Sequence, residues 1–167
     1  GGMAERIVVP AQLVYPLPAS VPIHHGIMVE LYSVAVHASR RTRVETGDAL
    51  VILGAGKVGL SLLDVHRRSP ARLIVSVDVD PLRLGVARKL GADVVLNPLE
   101  CNVVQEIKRL TGGRGADKVI EAVGHPIAVP GHGSPTQQAF EMIRSAGQIT
   151  LLGQGEQIDA VYWREFV

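Results

Sequence analysis

The sequence holds one cysteine, Cys101, in 167 residues. No disulfide can close within the chain and no cysteine-based zinc cluster can form, which fits a reducing, cytoplasmic setting. Cys101 lies in the polar stretch after Pro98 and reads as an incidental thiol. Excess charge of either sign is also lacking, since 17 Lys and Arg meet 16 Asp and Glu for a formal net charge of +1. The basic residues are scattered, so there is no electrostatic footprint for nucleic acid or a membrane surface. The densest group, Arg40, Arg41 and Arg43, stands beside Glu45 and Asp48 and reads as a solvated helix end. No apolar run approaches the length of a membrane span, and no signal-peptide pattern opens the chain. Gly1-Gly2-Met3 is either a tag scar or native sequence. What is present is apolar: 47% of the residues are hydrophobic, enough to bury a core in a domain of ordinary size.

The most informative stretch is residues 49–78, ALVILGAGKVGLSLLDVHRRSPARLIVSVD. An apolar run of strand length, Ala49–Leu53, leads into Gly54, Gly56 and Gly59, a G-x-G-x-x-G turn that opens a helix. A second strand, residues 72–77, ends in Asp78, about 20 residues beyond the last glycine, where a carboxylate can accept hydrogen bonds from ribose hydroxyls. Gly54 permits the tight turn, Gly56 leaves the backbone open to a pyrophosphate, and Gly59 allows close packing of helix on strand. The helix begins near Lys57 or Val58 and aims unpaired N–H groups and a positive dipole end at the phosphates. These residues together predict a dinucleotide site.

From residue 49 onward strand and helix patterns alternate. The first helix carries Val58, Leu62 and Val65 on one face with Leu60 and Leu63 beside it, and ends before Pro70. The second helix starts at an Asp80 N-cap with Pro81 behind it, turns Val86, Ala87 and Leu90 inward, and closes at Gly91. A brief third strand (Val94–Leu96), a helix (Val103–Leu110), a strand at residues 118–123, a helix at 136–145 and a strand at 148–152 follow. This series predicts an α/β Rossmann fold, a doubly wound parallel sheet in the order 3-2-1-4-5. Residues 1–46 follow another pattern, with short strands at 7–9 and 13–15 and a helix over 26–43. Two short strands cannot bury a core, so this part reads as a piece of another domain joined to a nucleotide-binding domain at 47–167.

The chain resembles the medium-chain dehydrogenase/reductase family, in its zinc-dependent alcohol, polyol and threonine dehydrogenase branch. The likeness runs through GGMAERIVVPAQLVYPLP, MVELYSVAVHASRR, ETGDALVILGAGKVGL, VARKLGADVVLNP, TGGRGADKVIEAVG and AFEMIRSAGQITLLGQGE. It implies an oxidoreductase acting on CH-OH groups, in which zinc binds the alcohol oxygen while hydride passes to the nicotinamide. Members are longer than this chain, which matches the middle of their design. The preceding segment with a cysteine and a His-Glu pair as metal ligands is expected to be missing, and so is the sixth strand after Val167. Residues 1–46 then correspond to a remnant of the catalytic domain.

Residue by residue, the resemblance carries Gly54, Ala55, Gly56, Lys57, Val58 and Gly59 onto the phosphate turn and Asp78 onto the ribose acid. Arg83 falls beside the adenosine, and Val123, Gly124, Leu152 and Gly153 on strand ends near the nicotinamide half. Glu30 matches a glutamate near the catalytic zinc in the pattern E-P-x-S-x-A-x-H, with Leu31 in place of the proline. Alone it cannot hold zinc, so in this chain it reads as an ordinary carboxylate and as a metal ligand only in a full-length parent. No residue is assigned to catalysis. His24, His25, His37, His66, His125 and His132 show no ligand spacing.

Asp78 would face the 2′-phosphate of NADP at close range, which predicts NAD as the cofactor. The chain alone is expected to bind NAD and not to turn over, because most of the domain that holds the small-molecule alcohol is missing. The alternative is a non-catalytic NAD-sensing module. A methyltransferase is disfavoured by Leu53, where that family carries an acid. A strand edge beside Val161, Tyr162, Trp163 and Phe166 predicts a homo-oligomer. Nucleic acid and membrane are not expected as partners.

Overall fold

The computed structural model describes residues 3–124 and 133–153. The chain divides into two compact units, Gly1–Glu30 and Leu31–Val167. Within the described part of the first unit the regular structure is a 3-10 turn at Ala11–Leu13 and a 3-10 helix at Ile23–Met28. The strands expected at residues 7–9 and 13–15 are not formed. Pro10, Pro16 and Pro18 remove ladder donors and fix the backbone, leaving runs too short to pair. The helix expected over 26–43 becomes α-helical only at Val29, giving α1 (Val29–Thr42), whose residues from Leu31 onward belong to the second unit.

The second unit continues through β1 (Ala49–Leu53), α2 (Lys57–His66), β2 (Leu73–Val77), α3 (Pro81–Leu90) and β3 (Val94–Leu96). It is completed by α4 (Val103–Leu110), β4 (Ala116–Glu121), α5 (Pro135–Met142) and β5 (Ile143–Leu151). The five strands form one parallel sheet in the order β3-β2-β1-β4-β5, as the alternating pattern predicted. β1 lies between β2 and β4 and is buried along its whole length, which explains its unbroken apolar run. One face packs Leu50, Ile52, Ile74 and Ile120 against α1, α2 and α3 through Ala35, Leu62 and Ala87. The opposite face packs Val51, Val75 and Val119 against α4 and α5 through Ile107 and Met142. Helices therefore cover both sides of the sheet, and the direction of winding reverses between β1 and β4.

Three sequence expectations are corrected. Val86 is exposed, and Leu84 takes the inward place. Leu84 and Ala87 are three residues apart and share a helix face, from which Val86 is rotated away. β4 occupies 116–121 rather than 118–123, because Ala116 already pairs with Ile143 and the chain turns after Glu121. α5 stops at Met142, three residues before the expected end, and β5 begins there rather than at Gln148. Ile143 is extended, and the register of β5 against β4 shifts between Ala116 and Lys118, where Ala146 adopts a positive φ of 59°.

The end of α1 is fastened to β5. Thr42 Oγ1 lies 2.9 Å from Thr150 Oγ1, and Gln148 Nε2 donates to the Arg41 carbonyl at 2.8 Å. Among the described residues no helix is long and apolar enough to cross a membrane. Val161, Tyr162, Trp163 and Phe166, with the edge expected beside them, lie outside the described residues. So do His125 and His132.

Candidate functional site

The site is built at the carboxyl end of the sheet, where β1 gives way to α2. Gly54 turns the chain with φ at 95° and donates its N–H to the Val77 carbonyl at 2.7 Å. A Cβ on Gly59 would overlap the Gly54 carbonyl oxygen, so the first turn of α2 can approach β1 only with glycine there. At Gly56 the corresponding position is open space, free for a ligand to approach. Gly56 is also the N-cap of α2 and brings no side-chain cap. The three helices α3, α4 and α5 are capped by Asp80, Asn102 and Ser134, each accepting from a backbone N–H of its first turn. α2 thus presents its N-terminal donors without a protein acceptor from a capping side chain.

Asp78 follows β2 and is 9% exposed. Its Oδ2 accepts from Ala55 N at 2.7 Å and its Oδ1 from Asp80 N at 2.9 Å. The acid therefore ties the end of β2 to the glycine turn. Arg83 leans across it, with Nη1 3.7 Å from Asp78 Oδ2 and Nε 3.5 Å from Asp80 Oδ2, and remains half exposed.

Two clefts meet at Arg83 and Val123. The first is lined by Gly54, Asp78 and Gln138 and has an apolar wall of Val79 and Pro98. The second, about 600 Å³, is lined by Ala55, Gly56, Lys57 and Val58 on one side and by Val123, Gly124, Leu152 and Gly153 on the other. The two are continuous at Arg83 and Val123 and so form one elongated cleft along the carboxyl end of the sheet. Every residue assigned to the cofactor from the sequence lines one cleft or the other except Gly59, whose place is in the packing of α2 on β1.

Glu30 stands exposed in the first turn of α1. Among the described residues no group of three or more His, Cys, Asp or Glu side chains is placed to hold a metal. His66, in the last turn of α2, is 1% exposed with both ring nitrogens unpartnered, and burial lowers its pKa from 6.5 to about 4. It is a neutral core residue.

Sequence reasoning missed Val79, Pro98, Gln138 and Glu121. The first three lie on separate elements and meet only in the folded chain. Glu121 did leave a signal, an acid ending the apolar strand of KVIEAVG at the carboxyl edge of the sheet.

The sequence profile of the zinc-binding dehydrogenase family matches residues 58–166. The chain belongs to that family. It is 31% identical to the sorbitol dehydrogenase of Bacillus subtilis (strain 168), covering 94% of this chain and 42% of that protein. With the erythritol/L-threitol dehydrogenase of Mycolicibacterium smegmatis it shares 35% identity over 92% of this chain and 41% of the relative. The solved structure of galactitol-1-phosphate dehydrogenase from Escherichia coli superposes with a TM-score of 0.84 at 26% identity, covering 99% of this chain and 46% of that one. The chain spans about two fifths of the length of the curated relatives it matches.

Proposed function

We propose that this chain is the NAD(H)-binding portion of a zinc-type alcohol or polyol dehydrogenase, which transfers hydride between an alcohol and nicotinamide. The observation that carries the reading is the uncapped N-terminus of α2, which lines the second cleft from an open glycine turn where that cleft meets the one holding Asp78. The backbone N–H groups of Lys57 and Val58 hold the pyrophosphate, and Asp78 accepts from the ribose hydroxyls with the lone pairs left over from Ala55 and Asp80. Val79 and Pro98 flank the adenine, with Arg83 above. Val123, Gly124, Leu152 and Gly153 wall the other half. When bound, NAD supplies the hydride-accepting ring. The chain's own residues orient that ring and keep its adenosine end fixed.

The described residues do not fit a zinc site. A zinc role for Glu30 belongs to a longer parent, as does the alcohol site. In this reading residues 1–46 are the remnant of the substrate domain and 47–167 the cofactor domain. The names of the relatives, which include sorbitol and erythritol/L-threitol dehydrogenases, support a small polyol or alcohol as substrate. The single cysteine supports a cytoplasmic setting. β5, at one end of the described sheet, supports self-association.

Titration of the chain with NADH and NADPH tests the proposal. NADH is expected to bind at least about tenfold more tightly, because the Asp78 carboxylate repels a 2′-phosphate. Tighter binding of NADPH, or of neither nucleotide, sinks it.

A further inference from the structure

Glu121 closes β4 and is 4% exposed. Its carbonyl oxygen accepts from Leu152 N at 2.9 Å and from Gly153 N at 3.1 Å. Its carboxylate Oε1 accepts from Val123 N at 2.7 Å and, more weakly, from Gly124 N at 3.4 Å. One residue thus binds four N–H groups on the two segments, 122–124 and 152–153, that wall the second cleft. The contact is tight enough that a Cβ on Gly153 would overlap Glu121 Oε2 and the backbone of Gly124.

Asp117 is buried as deeply but is paired with Arg114 and Arg144. Among the described residues no Lys, Arg or His lies within ion-pair distance of Glu121. Backbone donors stabilise its carboxylate without cancelling its charge, and a buried charge with no cation beside it among the described residues is costly in a low-dielectric surrounding. Such a charge attracts any cation brought into the adjoining cleft more strongly than water would allow. An oxidised nicotinamide ring is cationic and a reduced one is neutral.

We infer that Glu121 is a positioning residue that fixes the nicotinamide-side wall of the cleft, and that its charge favours the oxidised cofactor over the reduced one. This rests on the cofactor reading above. The test measures binding of NAD+, NADH and ADP-ribose to the whole chain and to its Glu121→Gln and Gly153→Ala variants, with circular dichroism as a check on folding. ADP-ribose occupies only the adenosine and phosphate part of the site. Glu121→Gln is expected to bind ADP-ribose within about twofold of the parent, to lose about tenfold for NAD+, and to lose about threefold or less for NADH. Gly153→Ala displaces the carboxylate while keeping its charge, and is expected to weaken both dinucleotides by about tenfold while sparing ADP-ribose.

Equal weakening of all three ligands by Glu121→Gln would mean a structural role alone and would overturn the inference. So would an unchanged ratio of NAD+ to NADH affinity. If Glu121→Gln does not fold, Gly153→Ala decides, and loss of ADP-ribose binding in parallel with the dinucleotides rejects the positioning role. Failure of the unaltered chain to bind any of the three ligands would overturn the cofactor reading itself, and this inference with it.

Discussion

At the amino end of the sheet Asp117 is enclosed by its own chain. Ala49 N–H at 2.8 Å, Arg114 at 3.1 Å and Arg144 all reach its carboxylate. Burial works to raise its pKa, but the Ala49 N–H and the two arginines together hold it below its ordinary value. At the carboxyl end Asp78 and Glu121 are comparably buried, yet their hydrogen bonds come from backbone N–H groups of turns that line the clefts. Among the described residues the cation within ion-pair distance of either is Arg83, 3.7 Å from Asp78 and half exposed. A buried carboxylate closes the fold where charged partners surround it. Where turn amides hold it, it shapes the wall of a cleft. The same division separates the helices, since the uncapped α2 starts at the carboxyl end and runs back to place His66 toward the amino end.

The strongest way to break this comparison is Asp117→Ala, which strands the Ala49 N–H and two guanidinium groups. A loss of about 3 kcal/mol in urea unfolding is expected, with NADH affinity of the folded chain unchanged within about twofold. Affinity falling along with stability would show that the two ends are not independent. Asp78→Asn makes the reverse cut. It should weaken NADH by about 2 kcal/mol in a binding titration and narrow the preference over NADPH, while costing less than about 1 kcal/mol of stability.

His66 sharpens the contrast through pH. Its folded pKa of about 4 lies below the unfolded value of 6.5, so the unfolded chain takes up the proton first. Acidification through that window therefore favours unfolding, by about 2 kcal/mol between pH 7 and pH 5. Asp117, held below its ordinary 3.8, gives up its contribution only at still lower pH. His66→Leu should remove most of the loss between pH 7 and 5 in paired urea titrations, and a variant that keeps the full loss would reassign it to another group. The smallest effect is expected from Arg83→Ala. An exposed arginine over a carboxylate contributes little, so NADH affinity should change by about threefold or less.

Much of the fold was legible because β1 and α3 carry local signals: an unbroken apolar strand, and an Asp-Pro start with a glycine stop. The sheet order followed from alternation and crossover handedness. The boundary of α5 with β5 was not legible. Gly147 looks like a helix stop, whereas the actual break at Ile143 depends on pairing with Ala116 across the sheet. The first unit misled for a related reason, since apolar residues between prolines look like strands but have no ladder to join. In the site, the glycine turn and Asp78 are close in sequence and could be read together. Glu121 acquires its place only when β4 and β5 meet, and the apolar wall of Val79 and Pro98 needs the ends of β2 and β3 side by side.

The fastening of α1 to β5 has a mechanical consequence. Thr42 to Thr150 and Gln148 to Arg41 join the far end of α1 to the strand that runs directly into Leu152 and Gly153. Each is a single hydrogen bond, and together they give the strand that ends in the cleft wall an anchor on α1 in addition to its ladder with β4.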